Sequence, residues 1–231
     1  MAKFTAGIGF GQASGSVAGS TFSRNRFGPY IRNKAVPVNP SSAAQALVRS
    51  RFGAQSAAWR GLTDAQRLQW NTQAPLINLY DTLGQSYTPS GAQFYSSINL
   101  YRTITGQAAL SAPPIADTPP ALTSLSVTAT GGTPTLSITF AAAIASGEFL
   151  VIQATAPNSA GRNFFGRSEY KQIAVLTNSD TSPYDALADY AAVFGALDSG
   201  DVGSKISIRA VPVSANGFAQ AHARADVILA T

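Results

Sequence analysis

A segment near the middle of the chain, residues 111–120, contains four prolines and limits how the whole chain can fold. Proline lacks a backbone N–H and fixes φ, so this segment is predicted to be an extended linker rather than a helix or a central strand. Hydrophobic residues recur at three- and four-residue steps before it and at two-residue steps after it. The sequence therefore predicts two differently built domains, residues 37–110 and 121–231.

Residues 121–231 are predicted to form an all-β domain. Six short runs alternate apolar and polar residues between turn signals, at Leu125–Thr128, Leu136–Phe140, Phe149–Gln153, Tyr170–Leu176, Ile206–Val211 and Ala225–Leu229. This spacing is typical of a β-sandwich. The order of the runs, and Lys205–Phe218 in particular, resembles a fibronectin type III or immunoglobulin-like module. Since no tryptophan lies in this half, the resemblance implies the sandwich class only.

Residues 37–110 are predicted to form a small helical domain with a hairpin, which makes the N-terminal half α+β. A first helix is expected from Pro40 to about Arg60, with Asn39 or Ser41 as its N-cap. Its buried side is expected to carry Leu47, Val48, Phe52 and Trp59.

Two further helices are expected in this domain, from Thr63 to Trp70 and, after a cap at Thr88 or Ser90, along Phe94–Arg102. A hairpin is expected between them, at residues 76–88. The first two helices outline a helix-turn-helix, but the second offers few side chains that could read bases. Core packing is therefore the favoured interpretation.

Residues 1–36 are predicted to be an extended docking arm that contains a hairpin. Two β-type runs flank Phe27-Gly28-Pro29, and their alternation brings Phe22 together with Tyr30 or Ile31 on one face. The arm buries too little apolar surface to fold alone, so it is expected to become ordered against a partner. The expected interface residues are Phe22, Arg24, Arg26, Phe27, Tyr30, Ile31, Arg32 and Lys34.

Charge divides the chain in the same way. Residues 1–110 carry ten Lys and Arg against two Asp and Glu, a net charge of +8, whereas residues 111–231 carry six against nine, a net charge of −3. Opposite net charges of this kind steer association between copies of the chain or with a partner. The alternative interpretation is that both halves carry ordinary solvent-exposed surfaces that differ in charge without a binding role. The charged fraction of 12% is about half the usual value, as expected for a surface that neighbouring subunits cover.

The residues that could perform chemistry are few. The chain has no cysteine and one histidine, His222, for which a structural or surface role is favoured over catalysis. Acidic residues in two loops make a calcium site conceivable, at Asp180, Asp185 and Asp189 and at Asp198 and Asp201, although the usual loop pattern is missing. We therefore expect no enzyme, no cofactor and no metal. No apolar run of membrane-spanning length and no secretory signal pattern is evident.

Residues 15–105 resemble a family of poorly characterised structural proteins of tailed bacteriophages and prophages. The resemblance is carried by Ser20–Arg32, by Pro37-Val38-Asn39-Pro40 leading to Gln45 and Arg49, by Trp59–Trp70, and by Ser90-Gly91 before Phe94 and Asn99. It implies a virion structural protein and brings no catalytic residues with it.

The sequence is compatible with three functions. The leading expectation is a non-enzymatic virion protein, a capsid decoration or cement protein or a neck or tail component, whose arm binds further copies or other virion proteins. The second is an extracellular filament or a carbohydrate or cell-surface binding module that uses Phe164, Tyr184 and Tyr190. The third is a basic nucleic-acid-binding protein, in which the cations neutralise phosphates and the rings stack on bases.

Overall fold

The computed structural model describes residues 2–3, 13–25, 28–35, 39, 41–77, 79–80, 85–142 and 144–231. Within these residues the chain is a mixed α and β protein with four α-helices and several antiparallel sheets. The helices are α1 (Ala43–Gly61), α2 (Asp64–Gln73), α3 (Gly91–Ile104) and α4 (Leu187–Phe194). The strands are β1 (Ala2–Lys3), β2 (Gly15–Val17), β3 (Ser20–Asn25), β4 (Gly28–Asn33), β5 (Leu79–Tyr80), β6 (Ser86–Tyr87), β7 (Leu122–Thr130), β8 (Thr135–Ala142), β9 (Phe149–Ala154), β10 (Lys171–Leu176), β11 (Tyr184–Asp185), β12 (Lys205–Val213) and β13 (Ala223–Ile228).

The chain divides into two compact units, Met1–Leu47 and Val48–Thr231. The first unit contains an antiparallel sheet in the order β1-β4-β3-β2, and the hairpin of β3 and β4 confirms the predicted strand pairing. Gly28 begins β4 with a φ of +107°, a left-handed conformation that glycine adopts without steric cost. None of the described side chains between residues 13 and 47 is buried. This sheet therefore lacks a core of its own within the described residues.

Helix α1 differs from its prediction in its cap and in its buried face. The backbone N–H of Gln45 donates to Ser42 Oγ at 3.3 Å, so Ser42, rather than Asn39 or Ser41, caps the helix. The expected apolar side was wrong, because Leu47, Val48 and Phe52 are 51%, 65% and 60% exposed.

Gln55 is the buried residue of α1, and it faces α3. Its Nε2 donates to Thr103 Oγ1 at 3.0 Å and to the Asn99 carbonyl oxygen at 3.5 Å. Trp59, one turn further along, packs against Tyr95 with ring centroids 5.3 Å apart. A polar residue thus takes the place of the expected apolar stripe, with its amide nitrogen hydrogen-bonded and its buried Oε1 without a hydrogen-bond partner among the described residues.

Helices α2 and α3 begin with matching capping boxes. Thr63 pairs with Gln66, and Ser90 pairs with Gln93, so the predicted Ser90 cap is confirmed. Trp70 is fully buried between them, and its Nε1 donates to the Ser111 carbonyl oxygen at 2.9 Å. The hydrophobic cluster of these helices comprises Trp70, Ala74, Phe94, Tyr95 and Ile98, with Trp59, Leu62, Ile77, Leu110 and Phe218 at its margin.

Residues 121–231 form two sheets around one hydrophobic core. The strand orders are β11-β8-β7 and β10-β9-β12-β13, and every strand pair in these orders is antiparallel. The core draws on both sheets and contains, among its fully buried members, Leu136, Ile138, Leu150, Ile152, Ile206 and Ile208. The six predicted runs all contribute strands to these sheets.

Helix α4 was not predicted, and it means that residues 121–231 are not all β. It follows the two-residue strand β11, and its Tyr190 is completely buried in the core between the sheets. The Tyr190 hydroxyl donates to the Thr155 carbonyl oxygen at 3.0 Å. Leu187, Tyr190 and Phe194 have helical spacing, but a segment rich in Asp, Ser and Pro precedes them and favours the interpretation as polar turns.

Helix α3 packs against the outer face of the four-stranded sheet, which is the face that points away from the core between the two sheets. Val151, Val211 and Val213 form a second cluster there, with Tyr101 and Ile104 of α3 packed against it. Arg102 Nη1 donates to the Ala215 carbonyl oxygen at 2.8 Å. Gly217, with a φ of +88°, lies in the following turn directly against α3.

We predict that Gly217→Ala lowers the free energy of unfolding by about 2 kcal/mol, because it adds strain at positive φ and a steric clash. An added Cβ would lie 2.8 Å from the Ile98 carbonyl oxygen and 2.9 Å from Arg102 Cγ. Urea denaturation measures the change. Gly161→Ala is the matched control, since nothing lies within 4 Å of a Cβ at that turn position. Equal stability of the two variants would contradict the close approach.

Independent folding of residues 119–231 stays a prediction. All members of the core between the two sheets lie within this fragment, so it should unfold cooperatively when heated. Its Tm should be lower than that of the whole chain, because Val151, Val211 and Val213 lose the cover that Tyr101 and Ile104 provide. Differential scanning calorimetry of the fragment tests this. A fragment without a cooperative transition would show that both parts need one another.

Candidate functional site

The predicted interface residues of the arm lie on both faces of its sheet. In the β3–β4 register Phe22 is opposite Ile31, and Arg24 is opposite Pro29, so these four share one face. Tyr30 is opposite Ser23, and Arg32 is opposite Thr21, on the other face. The structure therefore pairs Phe22 with Ile31 and places Tyr30 on the opposite side, which decides between the two predicted arrangements.

The exposed cations of the arm are likewise divided between the two faces. Arg24 lies on the same face as Phe22, and Arg32 lies on the same face as Tyr30. Both arginines and Lys34 are solvent-exposed, whereas Phe22, Tyr30 and Ile31 are half-buried. Arg26 and Phe27 lie outside the described residues. The arm thus presents an apolar strip with an arginine at its end on one face, and a tyrosine with an arginine on the other.

The arm also presents an edge strand. Strand β2 pairs with β3 along Gly15–Val17 and ends the sheet order within the described residues. Val17 at this edge is 68% exposed and shares the face of Phe22. An edge strand offers backbone N–H and C=O groups for pairing with another chain. An added strand could pair with this edge, and the apolar face of the sheet could bury the side chains of that strand.

The single histidine lies among cations. His222 is at the surface just before β13, and partial burial together with the charges of Arg209, Arg167 and Arg224 lowers its pKa below 6.5. It is therefore neutral at pH 7. Catalytic triads instead place a histidine between a nucleophile and an orienting carboxylate.

The acidic residues considered for calcium serve local turns. Asp180 accepts from the backbone of Thr177 at 2.8 Å, and Asp185 accepts from the backbone of Leu187 at 3.0 Å at the start of α4. Asp198 and Asp201 form the capping box of a short 3-10 turn. Among the described residues no three His, Cys, Asp or Glu side chains are grouped to hold a metal ion.

The aromatic residues considered for carbohydrate binding are placed differently from one another. Tyr190 is fully buried, so its assignment to a binding loop was wrong. The Tyr184 hydroxyl donates to Asp189 at 2.5 Å, and burial, this hydrogen bond and nearby carboxylates raise the pKa of Tyr184 to about 12. Phe164 alone of the three is widely exposed, at 78%.

A polar network on the outer face of the four-stranded sheet was missed from the sequence. Ser207 of β12 is fully buried, and its hydroxyl lies 2.7 Å from the Tyr170 hydroxyl and donates to Asp226 Oδ1 at 2.5 Å. Arg224 donates to the two Asp226 oxygens at 2.9 and 2.6 Å. Burial acts to raise the pKa of Asp226, but the hydrogen bonds from Arg224 and Ser207 lower it below 3.8. The sequence signal was the alternate spacing of Ser207 with Arg209 and of Arg224 with Asp226.

A groove of about 500 Å³ lies between α3 and the turn that follows β12. Phe94, Ile98 and Tyr101 line one side, and Phe218 and Gln220 line the other. The groove is open to solvent, and its walls combine apolar and polar side chains. None of the predicted interface residues lies in it.

Comparison with known proteins found no matching family model, no matching curated protein and no matching solved structure. In the part of the chain that the structure describes, no helix combines the length and the apolar character needed to cross a membrane.

We predict that Asp226→Asn lowers the free energy of unfolding at pH 7 by about 1 kcal/mol, since it weakens a partly exposed ion pair that also holds buried Ser207. The pKa of Asp226 is lowered by folding, so its contribution is present above the unfolded value and is lost as the pH falls through the folded value. The difference between the two proteins should therefore shrink below about pH 4. Urea denaturation across this range measures it, with Asp117→Asn in the linker as the control for charge.

Proposed function

We propose that this chain is a non-enzymatic structural protein of a bacteriophage particle and assembles through its N-terminal arm. The observation that carries the proposal is the sheet of β1 to β4, in which no described side chain from residue 13 onward is buried. A short sheet with no packed face is marginally stable in water. The arm is therefore expected to gain its stability from a neighbouring molecule.

The two faces of the arm indicate what that neighbour offers. Val17, Phe22 and Ile31 would pack on an apolar surface, and Arg24 at the end of this face would pair with a carboxylate. Tyr30 and Arg32 repeat this combination on the opposite face. Arginine and tyrosine are enriched at protein–protein interfaces, which favours a protein partner over a nucleic acid.

A further copy of this chain is the partner that we favour. The second half of the chain has a net charge of −3 and the first half has a net charge of +8, so head-to-tail association would bring opposite charges together. Such heterologous contacts generate rings or filaments. Other virion proteins with acidic surfaces fit the same chemistry.

We further propose that residues 121–231 form an immunoglobulin-like sandwich that projects from the particle. Labelled in chain order as A, B, C, C′, E, F and G, strands β7 to β13 form sheets in the orders E-B-A and C′-C-F-G. These orders agree with the arrangement of such domains and support the proposal. Strand β11 is short, and α4 follows it, which departs from the common pattern.

The virion assignment rests on the resemblance of residues 15–105 to tailed-phage structural proteins. This resemblance supports a proposed capsid decoration, neck or tail position, and the extracellular binding module is the alternative. Phe164 is the exposed aromatic residue that favours this alternative. Glycan binding by the isolated chain would support it.

We predict that the double variant Arg24→Ala, Arg32→Ala is lost from particles when it replaces the native copy in the producing bacterium. Exposed arginines contribute little to folding but fix the register between chains, so the free energy of unfolding should change by less than about 0.5 kcal/mol. Sedimentation of particles followed by mass spectrometry measures incorporation. Arg51→Ala, Arg60→Ala on α1 removes the same charge and should be incorporated normally.

Normal incorporation of the Arg24 and Arg32 variant would contradict the role of the arm. If the cations contact nucleic acid instead, the variant should assemble, and its affinity for DNA should lose about 0.9 of a unit of salt slope for each phosphate contact removed. Trypsin provides an independent readout, because cleavage after Arg24 and Arg32 should be fast in the isolated chain and slow in the particle. Equal protection in both states would argue against ordering by a partner.

A further inference from the structure

The cations of the acidic half gather on one face. Of the six Lys and Arg after residue 110, four lie on or over the outer face of the sheet that contains β12 and β13. A fifth, Arg167, is near enough for its charge to act on His222, just before β13. These five belong to two strands and to the loop that precedes β10, and they are Arg162, Arg167, Lys205, Arg209 and Arg224. We call this group the basic face.

Two carboxylates compensate only part of this charge. Glu169 lies 2.7 Å from Arg162, and Asp226 lies 2.6 Å from Arg224. Lys205 Nζ donates instead to two neutral oxygens of the loop, the Arg162 carbonyl oxygen and Asn163 Oδ1, each at 3.0 Å. Within residues 144–231 no further carboxylate lies within ion-pair distance of the basic face. A surplus of three positive charges remains.

Arg209 stacks on an aromatic ring and keeps one buried donor without a partner. Its guanidinium lies 3.7 Å from the centroid of the Tyr170 ring, and the Tyr170 hydroxyl is in turn held by buried Ser207. Arg209 Nε is buried without a hydrogen-bond partner, while the side chain as a whole is only half-buried. A buried donor without a partner is uncommon in proteins, because it loses its hydrogen bonds to water.

Arg209 and Arg224 are also direct cross-strand partners. They are paired in the β12–β13 register, so their side chains project from the same face. Like charges in this position destabilise a sheet, and Asp226 pairs with Arg224 but leaves the charge of Arg209 without a carboxylate. The pKa of His222 provides independent support, because after partial burial the charges of Arg209, Arg167 and Arg224 are the causes that lower it.

We propose that the basic face binds a tetrahedral oxyanion of the phosphate class between Arg209, Arg224 and Arg167. Guanidinium groups bind such oxyanions through paired N–H donors, and a dianion offsets the surplus charge better than a carboxylate does. The source is either free inorganic phosphate or a phosphate monoester on a larger molecule. This site is separate from the arm, so it can exist whether or not the arm mediates assembly.

NMR of the single histidine tests the proposal in the full-length chain. The pKa of His222 is measured in chloride and then in inorganic phosphate at the same ionic strength, so that general screening is equal in both. Bound phosphate offsets the arginine charges, and the pKa of His222 should rise toward 6.5 or above it. An unchanged pKa would overturn the proposal. An equal rise in acetate would overturn the phosphate class.

Two variants localise the effect. Arg209→Gln should weaken phosphate binding about tenfold or more, and Arg167→Gln, at an exposed turn position, should weaken it about threefold. Arg60→Gln on α1 should bind as the wild type does. Unchanged binding by Arg167→Gln would overturn the proposed site even if Arg209→Gln failed to fold. Tighter binding of glycerol 3-phosphate than of inorganic phosphate would identify a monoester, and the reverse would identify the free anion.

Discussion

Strand β12 is covered on both faces, and the packing of the larger unit follows from this constraint. Its inward side chains, Ile206, Ile208 and Ala210, enter the core shared by the two sheets. Its outward side chains change character along the strand, from polar at Ser207 to apolar at Val211 and Val213. Apolar side chains need a packed cover, and buried polar groups need hydrogen-bond partners. The apolar end of this outer face therefore requires a helix, and the polar end requires a hydrogen-bonded loop.

The apolar end is covered by α3 and the polar end by Tyr170. Tyr101 and Ile104 pack over Val211 and Val213, which ties the helices to the sheet. At the other end a buried hydroxyl without partners would cost about 1–3 kcal/mol, and Ser207 avoids this cost through Tyr170 and Asp226. The same arrangement leaves Arg209 stacked on Tyr170 with its Nε unsatisfied. The charge imbalance of the basic face thus originates in the way that β12 is covered.

The sequence predicted elements whose signal is local. Period-two runs placed the strands, and Ser90 with Gln93 placed the start of α3. The buried face of α1 was wrong because alanines give this helix several similar faces, and the Gln55–Thr103 hydrogen bond, across 48 residues, selects one. The basic face could not be predicted without the β12–β13 register, which pairs Arg209 with Arg224. The length of the connection between these strands does not show which residues are paired. The apolar face of the arm could be predicted from the sequence. The surface that covers this face could not be predicted, because the proposed partner is another molecule.

The two tryptophans of the chain make one part of the larger unit separately observable. Trp59 and Trp70 both belong to the helical cluster, whereas the core between the sheets contains Tyr190 and no tryptophan. Excitation at the long-wavelength edge, where tryptophan absorbs and tyrosine does not, therefore reports on the helices alone. Unfolding of the helices can be followed in the intact chain in this way, without cutting or labelling it, and compared with far-UV circular dichroism of the whole chain.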